Sequence, residues 1–162
     1  MTINQKITTC LWFDYNAEEA IEYYLSIFPN SKLLSSSRYR ENAPVPKGTM
    51  LAATFELAGV RFMALNGGPA FKFTEAISLM VYCENQQEID SLWEKLSSNG
   101  GATSQCGWLK DRYGLSWQVI PGLLPEMLKD KDTVKSQRVM KVMLQMTKID
   151  ISALENAYLG TE

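Results

Sequence analysis

The chemistry open to this chain is limited first by a residue it lacks: none of its 162 residues is histidine. Histidine is the usual proton carrier near neutral pH and the commonest transition-metal ligand. A Ser-His-Asp triad, a Cys-His pair and any histidine-containing zinc site are therefore excluded. Chemistry must rest on carboxylates, cysteines, tyrosines, lysines or backbone groups. The three cysteines, Cys10, Cys83 and Cys106, show no CxxC spacing. They read as reduced thiols of a cytoplasmic protein rather than as a disulfide framework. Cys10 has no identifiable base beside it, so a small buried residue is the plainer reading than a nucleophile. No feature activates Cys83 or Cys106.

Aromatic and polar candidates come next. Trp12, Trp93, Trp108 and Trp117 could line a ligand site, although Trp93 falls on a helical apolar stripe and reads as core. Strand alternation sorts the others. Thr8, Cys10 and Trp12 share one face of a first strand. Ser116, Gln118 and Ile120 share one face of a last strand, opposite Trp117 and Val119. The faces bearing Cys10 and Gln118 are expected to line a cleft. Asn66-Gly67-Gly68-Pro69 reads as a connection rather than an anion nest, and no GxGxxG motif follows a strand. Glu18, Glu19 and Glu22 suit the first turns of a helix. Glu75 and Asp111 read as turn or loop residues, and Arg38, Arg61 and Lys72 as solvated surface.

These residues must be positioned by elements that repeat. Ile7–Phe13 reads as a strand. Asn16 precedes Glu19 at capping-box spacing, and Ala20, Ile21, Tyr24, Leu25 and Phe28 make a helical stripe. Strands are predicted at Lys32–Tyr39, Met50–Leu57 and Val60–Asn66, with a tight hairpin at Ala58-Gly59 and a Pro-containing loop over Glu41 to Gly48. The plan then recurs. A strand at Ile77–Cys83 leads to Asn85 and Glu88 at the same capping spacing. A stripe of Ile89, Leu92, Trp93 and Leu96 follows, ended by Asn99-Gly100-Gly101. Strands are predicted at Ala102–Gln105, Gly107–Lys110 and Leu115–Ile120. Asn16 and Asn85, Glu19 and Glu88, Tyr24 and Trp93, and Ile27 and Leu96 each lie 69 residues apart. After Pro121 the pattern is helical: Leu124–Leu128, Thr133 to Thr147, and Ile151–Tyr158. The expectation is one α+β domain spanning 1–162, with strand–helix–strands modules at 1–68 and 69–121 and C-terminal helices at 122–162.

Composition adds exclusions. With 46% hydrophobic and 21% charged residues the chain has globular composition. Its formal net charge of -2 leaves no basic footprint for nucleic acid and no polybasic membrane patch. No apolar run is long enough to span a membrane, and MTINQKITTC has no signal-peptide core, so a cytoplasmic location is expected.

The segments CLWFDYNAEEAIEYYLSIFPNSKL (Cys10–Leu33), FMALNGGPAFKF (Phe62–Phe73), CGWLKDRYGLSWQVIP (Cys106–Pro121) and MLQMTKIDISALENAY (Met143–Tyr158) resemble the PhnB-like branch of the vicinal oxygen chelate superfamily. Glyoxalase I, bleomycin-resistance proteins and extradiol dioxygenases belong to the same superfamily. The resemblance covers nearly the whole chain. It implies two βαβββ modules around a U-shaped cleft. In the superfamily's enzymes that cleft holds a divalent metal through His, Glu or Gln side chains. The corresponding positions here fall near Thr8, Asn66, Ala76 and Gln118, of which only Gln118 is a plausible ligand. Members of this branch often carry a demethylubiquinone methyltransferase label, yet the chain shows no methyl-donor motif. The expectation is therefore a protein binding a small organic molecule through Cys10, Trp12, Asn66 and Gln118, with no metal, no cofactor and no assignable catalytic residue. A metal-dependent lyase or dioxygenase is the second expectation, and a structural or regulatory homodimer working through its apolar tail is the third.

Overall fold

A computed structural model describes residues 5–161. The chain divides into two compact units, with the boundary between Lys72 and Phe73. This is four residues beyond the expected junction of the modules, and the C-terminal helices belong to the second unit.

The first unit runs β1 (Thr9–Phe13), α1 (Ala17–Ile27), β2 (Lys32–Arg38), β3 (Met50–Leu57) and β4 (Val60–Asn66). Its sheet has the order β1-β4-β3-β2, with β1 parallel to β4 and the other pairs antiparallel. The helix between β1 and β2 is what allows β1 to lie parallel to a later strand. Helix α1 lies against β3 and β4 and buries Ala20, Ile21 and Tyr24. Alternation puts Leu11 and Phe13 in the core, while Cys10 on the other face is exposed. The buried reading of Cys10 is thereby corrected. At the β3–β4 hairpin Ala58 and Gly59 both have positive φ, 48° and 80°. Two such residues make the turn whose twist matches the flanking strands.

The second unit repeats the plan as β5 (Ser78–Cys83), α2 (Gln86–Ser97), β6 (Ala102–Thr103), β7 (Trp108–Lys110) and β8 (Ser116–Pro121). The strand order is β5-β8-β7-β6, again with the outer pair β5–β8 parallel. Helix α2 buries Ile89, Leu92 and Leu96 and lies against β7 and β8, where Leu109, Trp117 and Val119 are buried. Trp93, expected in the core, is half-buried at the edge of that stripe.

The two helix starts differ. Asn85 accepts a hydrogen bond from the Glu88 amide at 2.9 Å, and the Glu88 carboxylate accepts one from the Glu84 amide at 2.7 Å. Asn85 caps as the spacing predicts, while the Glu88 carboxylate reaches one residue further back than the N-cap. Asn16 makes no side-chain cap; the amide of Ala17 is instead capped by a residue 49 positions away, Asn66.

Helices α3 (Leu124–Leu128), α4 (Thr133–Met143) and α5 (Ile151–Leu159) complete the unit. The middle helix ends four residues before the expected Thr147, where the chain turns to pair with the loop ahead of β7. Met146 and Thr147 carbonyls accept from the amides of Cys106 and Gly107 at 2.8 and 2.9 Å. Gln86 clamps the next residues with both ends of its amide, donating to the Ile149 carbonyl and accepting from the Ile151 amide. Arg138 on α4 donates to the carbonyls of Ala157 and Tyr158, which lie at the end of α5. Such a side chain satisfies carbonyls that a helix end leaves without partners. Tyr158 also donates to Asp130, which lowers the Asp130 carboxyl pKa and raises that of the Tyr158 hydroxyl. The tail thus packs on the second module. Among the described residues no helix is long and apolar enough to cross a membrane.

Candidate functional site

In the second unit, the sheet face turned away from α2 carries two cross-strand rows. One is Met80, Gln118 and Trp108; the other is Ser78, Ser116 and Lys110. Alternation fixes both rows, since Trp117 and Val119 between them point into the core. At one end of this face α3 and α4 contribute Leu124, Leu128, Lys129 and Met143. Together with Met80, Tyr82, Trp108, Gln118 and Ile120 they enclose a pocket of about 350 Å³, which Cys106 also lines. That volume is in the range of small-molecule sites, and so is a mostly apolar wall with few polar groups. Gln118 is half-buried and donates through Nε2 to Ser78 Oγ at 2.9 Å. Its Oε1 atom has no partner among the described residues, which leaves one acceptor for a bound molecule.

The other expected site residues lie in the first unit and have other surroundings. Asn66 is buried, and both ends of its amide are engaged. Oδ1 accepts from the Ala17 amide and Nδ2 donates to the Met50 carbonyl, each at 2.9 Å. Its own carbonyl accepts from the Tyr39 hydroxyl at 2.6 Å. Asn66 therefore ties α1 to β3 and β4 with both ends of its amide. Trp12 is half-buried; its indole donates to the Gly68 carbonyl at 2.9 Å and meets Phe71 edge-on at 4.9 Å. A Cβ on Gly67 would fall 2.1 Å from that indole. The amides of Gly67 and Gly68 both donate to the Phe13 carbonyl. The glycine pair is thus a seat for Trp12 and a connection, as expected, with its amides turned inward.

Neither Cys10 nor Cys83 is an activated thiol. Burial pushes the Cys10 thiol up, and burial with the nearby Glu88 pushes the Cys83 thiol up to about 12. A thiol held protonated at neutral pH is a poor nucleophile.

The positions that the superfamily uses for a divalent metal do not fit one here. Thr8 is exposed ahead of β1, Ala76 offers no side-chain donor, and the Asn66 amide is engaged. Gln118 alone remains, and hard divalent ions require several oxygen donors with carboxylates among them. Among the described residues no three His, Cys, Asp or Glu side chains come together as a metal site.

Alternation puts Gln118 on the face opposite Trp117 and Val119, where it stands, but it did not point to Met80, Tyr82 or the tail side chains. Met80 and Trp108 carried a signal, because each sits directly across from Gln118 in strand register.

Two βαβββ modules with parallel outer pairs define the vicinal oxygen chelate fold. The family model described as 3-demethylubiquinone-9 3-methyltransferase matches residues 5–120. A Bacillus cereus structure described as a putative 3-demethylubiquinone-9 3-methyltransferase, PhnB protein, is 43% identical with a TM-score of 0.66, over 72% of this chain and 99% of that one. A protein from Pseudomonas aeruginosa is 21% identical with a TM-score of 0.59, over 73% and 98% of the two chains. The fosfomycin resistance protein FosX from Listeria monocytogenes, solved with Mn(II) and sulfate, is 17% identical with a TM-score of 0.54, over 79% and 98%. No curated protein matches the chain. The chain belongs to the 3-demethylubiquinone-9 3-methyltransferase family, which includes the PhnB protein, and it has the vicinal oxygen chelate fold.

Proposed function

We propose that this protein binds a small, largely apolar organic molecule in the pocket beneath α3 and α4, without a resident catalytic metal. The observation that carries this reading is an apolar pocket of about 350 Å³ whose wall holds the Gln118 amide with one acceptor unspent. A half-buried acceptor in an apolar wall orients a ligand that can donate to it. The donor chemistry at Thr8, Asn66, Ala76 and Gln118 supports binding without a metal. FosX, with its Mn(II), supports the fold alone.

A thermal-shift screen followed by equilibrium dialysis tests the reading. Ligands found with the wild type should bind at least about tenfold more weakly to Leu128→Trp, which fills the pocket, and to Gln118→Ala; tenfold is about 1.4 kcal/mol. Equal binding to both variants rejects the pocket.

The same reading includes a homodimer. Its support is the exposure of Leu33, Leu34 and Met63 on the first sheet, apolar surface that a second copy would cover. Sedimentation velocity should give a dimer for the wild type and a monomer for Leu34→Lys; a monomeric wild type removes the proposal.

A further inference from the structure

The pocket is bounded on one side by the Trp108 ring, and Trp108 also lines a second pocket of about 250 Å³. This second pocket differs in chemistry. Ser116, Lys110, Glu75, Thr103 and Ser104 all line it. Ser116 is 1% exposed, and its Oγ has no hydrogen-bond partner among the described residues. A hydroxyl shut away from solvent without a partner costs about 1–3 kcal/mol. Folding alone gives no reason to keep it there, since alanine would fit the same strand position.

The neighbouring charges restrict what could meet that hydroxyl. Lys110 and Glu75 form an ion pair at the pocket, and Lys110 holds the Glu75 carboxyl below the usual carboxylate range. The two charges offset one another. That pair is exposed and carries no net charge, so a charged head reaching the shut-away Ser116 hydroxyl would leave water and find no unshared counter-charge there. A neutral group that both donates and accepts hydrogen bonds meets Ser116 without that cost.

Ser116 and Gln118 are two residues apart on one strand and on one face, so their side chains are separated by ~7 Å. We infer that the two pockets are halves of one binding site for an amphipathic small molecule. Its apolar body lies under α3 and α4, and an uncharged hydroxyl or carboxamide head reaches past Trp108 to Ser116. This inference rests on the proposed function and adds the chemical class of the ligand.

Three probes with one apolar body separate the possibilities: butylbenzene, phenylbutanamide and phenylbutyrate, each titrated calorimetrically into wild type, Ser116→Ala and Leu128→Trp. In the wild type the amide should bind about tenfold tighter than butylbenzene, the increment of about 1.4 kcal/mol that one added hydrogen bond can supply. The carboxylate should bind no tighter than butylbenzene. Ser116→Ala should abolish the preference for the amide, leave butylbenzene binding unchanged, and leave the melting temperature of the unliganded protein unchanged or raised. Leu128→Trp should weaken all three. A preference for the amide that survives in Ser116→Ala overturns the head-group site alone, as does a carboxylate that binds tightest or a Ser116→Ala protein that melts lower. Butylbenzene binding that Leu128→Trp leaves intact, or no binding by any probe, overturns the pocket reading and this one with it.

Discussion

Asp111→Ala should destabilise the second unit by about 3–5 kcal/mol, because it strips three donors of their acceptor. Asp111 is 2% exposed. One carboxylate oxygen accepts from the amides of Tyr113 and Leu115, at 2.8 and 3.1 Å. The other accepts from the Trp117 indole at 2.9 Å. The Asp111–Gly114 turn and the start of β8 are therefore organised around one side chain, and β8 carries Ser116 and Gln118. Asp111→Asn keeps an acceptor for the two amides but turns an NH2 group toward the indole. It should lose about 1–3 kcal/mol, the cost of one buried unmatched donor. Denaturant titration followed by tryptophan fluorescence measures both. A loss below about 1 kcal/mol for the alanine variant would show that the turn has no need of the carboxylate.

Asn66→Ala should cost the first unit about 2–4 kcal/mol. Removing the amide leaves the Ala17 N–H and the Met50 carbonyl buried with nothing to bond, at about 1–2 kcal/mol each. Asn66→Asp should be no milder. It keeps an acceptor for Ala17, but it sets a buried carboxylate against the Met50 carbonyl, and an unpaired buried charge is the costlier defect. Hydrogen exchange at the first amides of α1 should accelerate in both variants. Unchanged stability in Asn66→Ala would show that neither buried partner depends on the amide.

These two residues mark where the sequence is legible. The strand–helix–strands plan is visible because it depends on local signals: alternation along β3 and β4, stripes on α1 and α2, and glycines at turns. Asn85 is read correctly for the same reason, since its partner Glu88 is three residues away. Asn16 has the same spacing and fails. The acceptor that caps α1 comes from the end of β4, brought there by the parallel pairing of β1 with β4, and no local pattern encodes it. The same limit applies to the candidate site. Alternation identifies the face of Gln118 and Ser116. An apolar stripe on α4 says that the tail covers something, but not that it roofs this face. The clamp from Gln86 and the pairing of Met146 and Thr147 with Cys106 and Gly107 settle that, and both are contacts between distant parts of the chain.

The indole of Trp12 occupies the space that a side chain at position 67 would fill. The two positions are consequently not independent under substitution. A change at 67 is acceptable only after position 12 has become small, whereas a smaller residue at 12 opens a void that glycine cannot fill. Divergence within the family should therefore move the two together, with glycine at 67 tracking a bulky ring at 12 as a lineage marker of the first module.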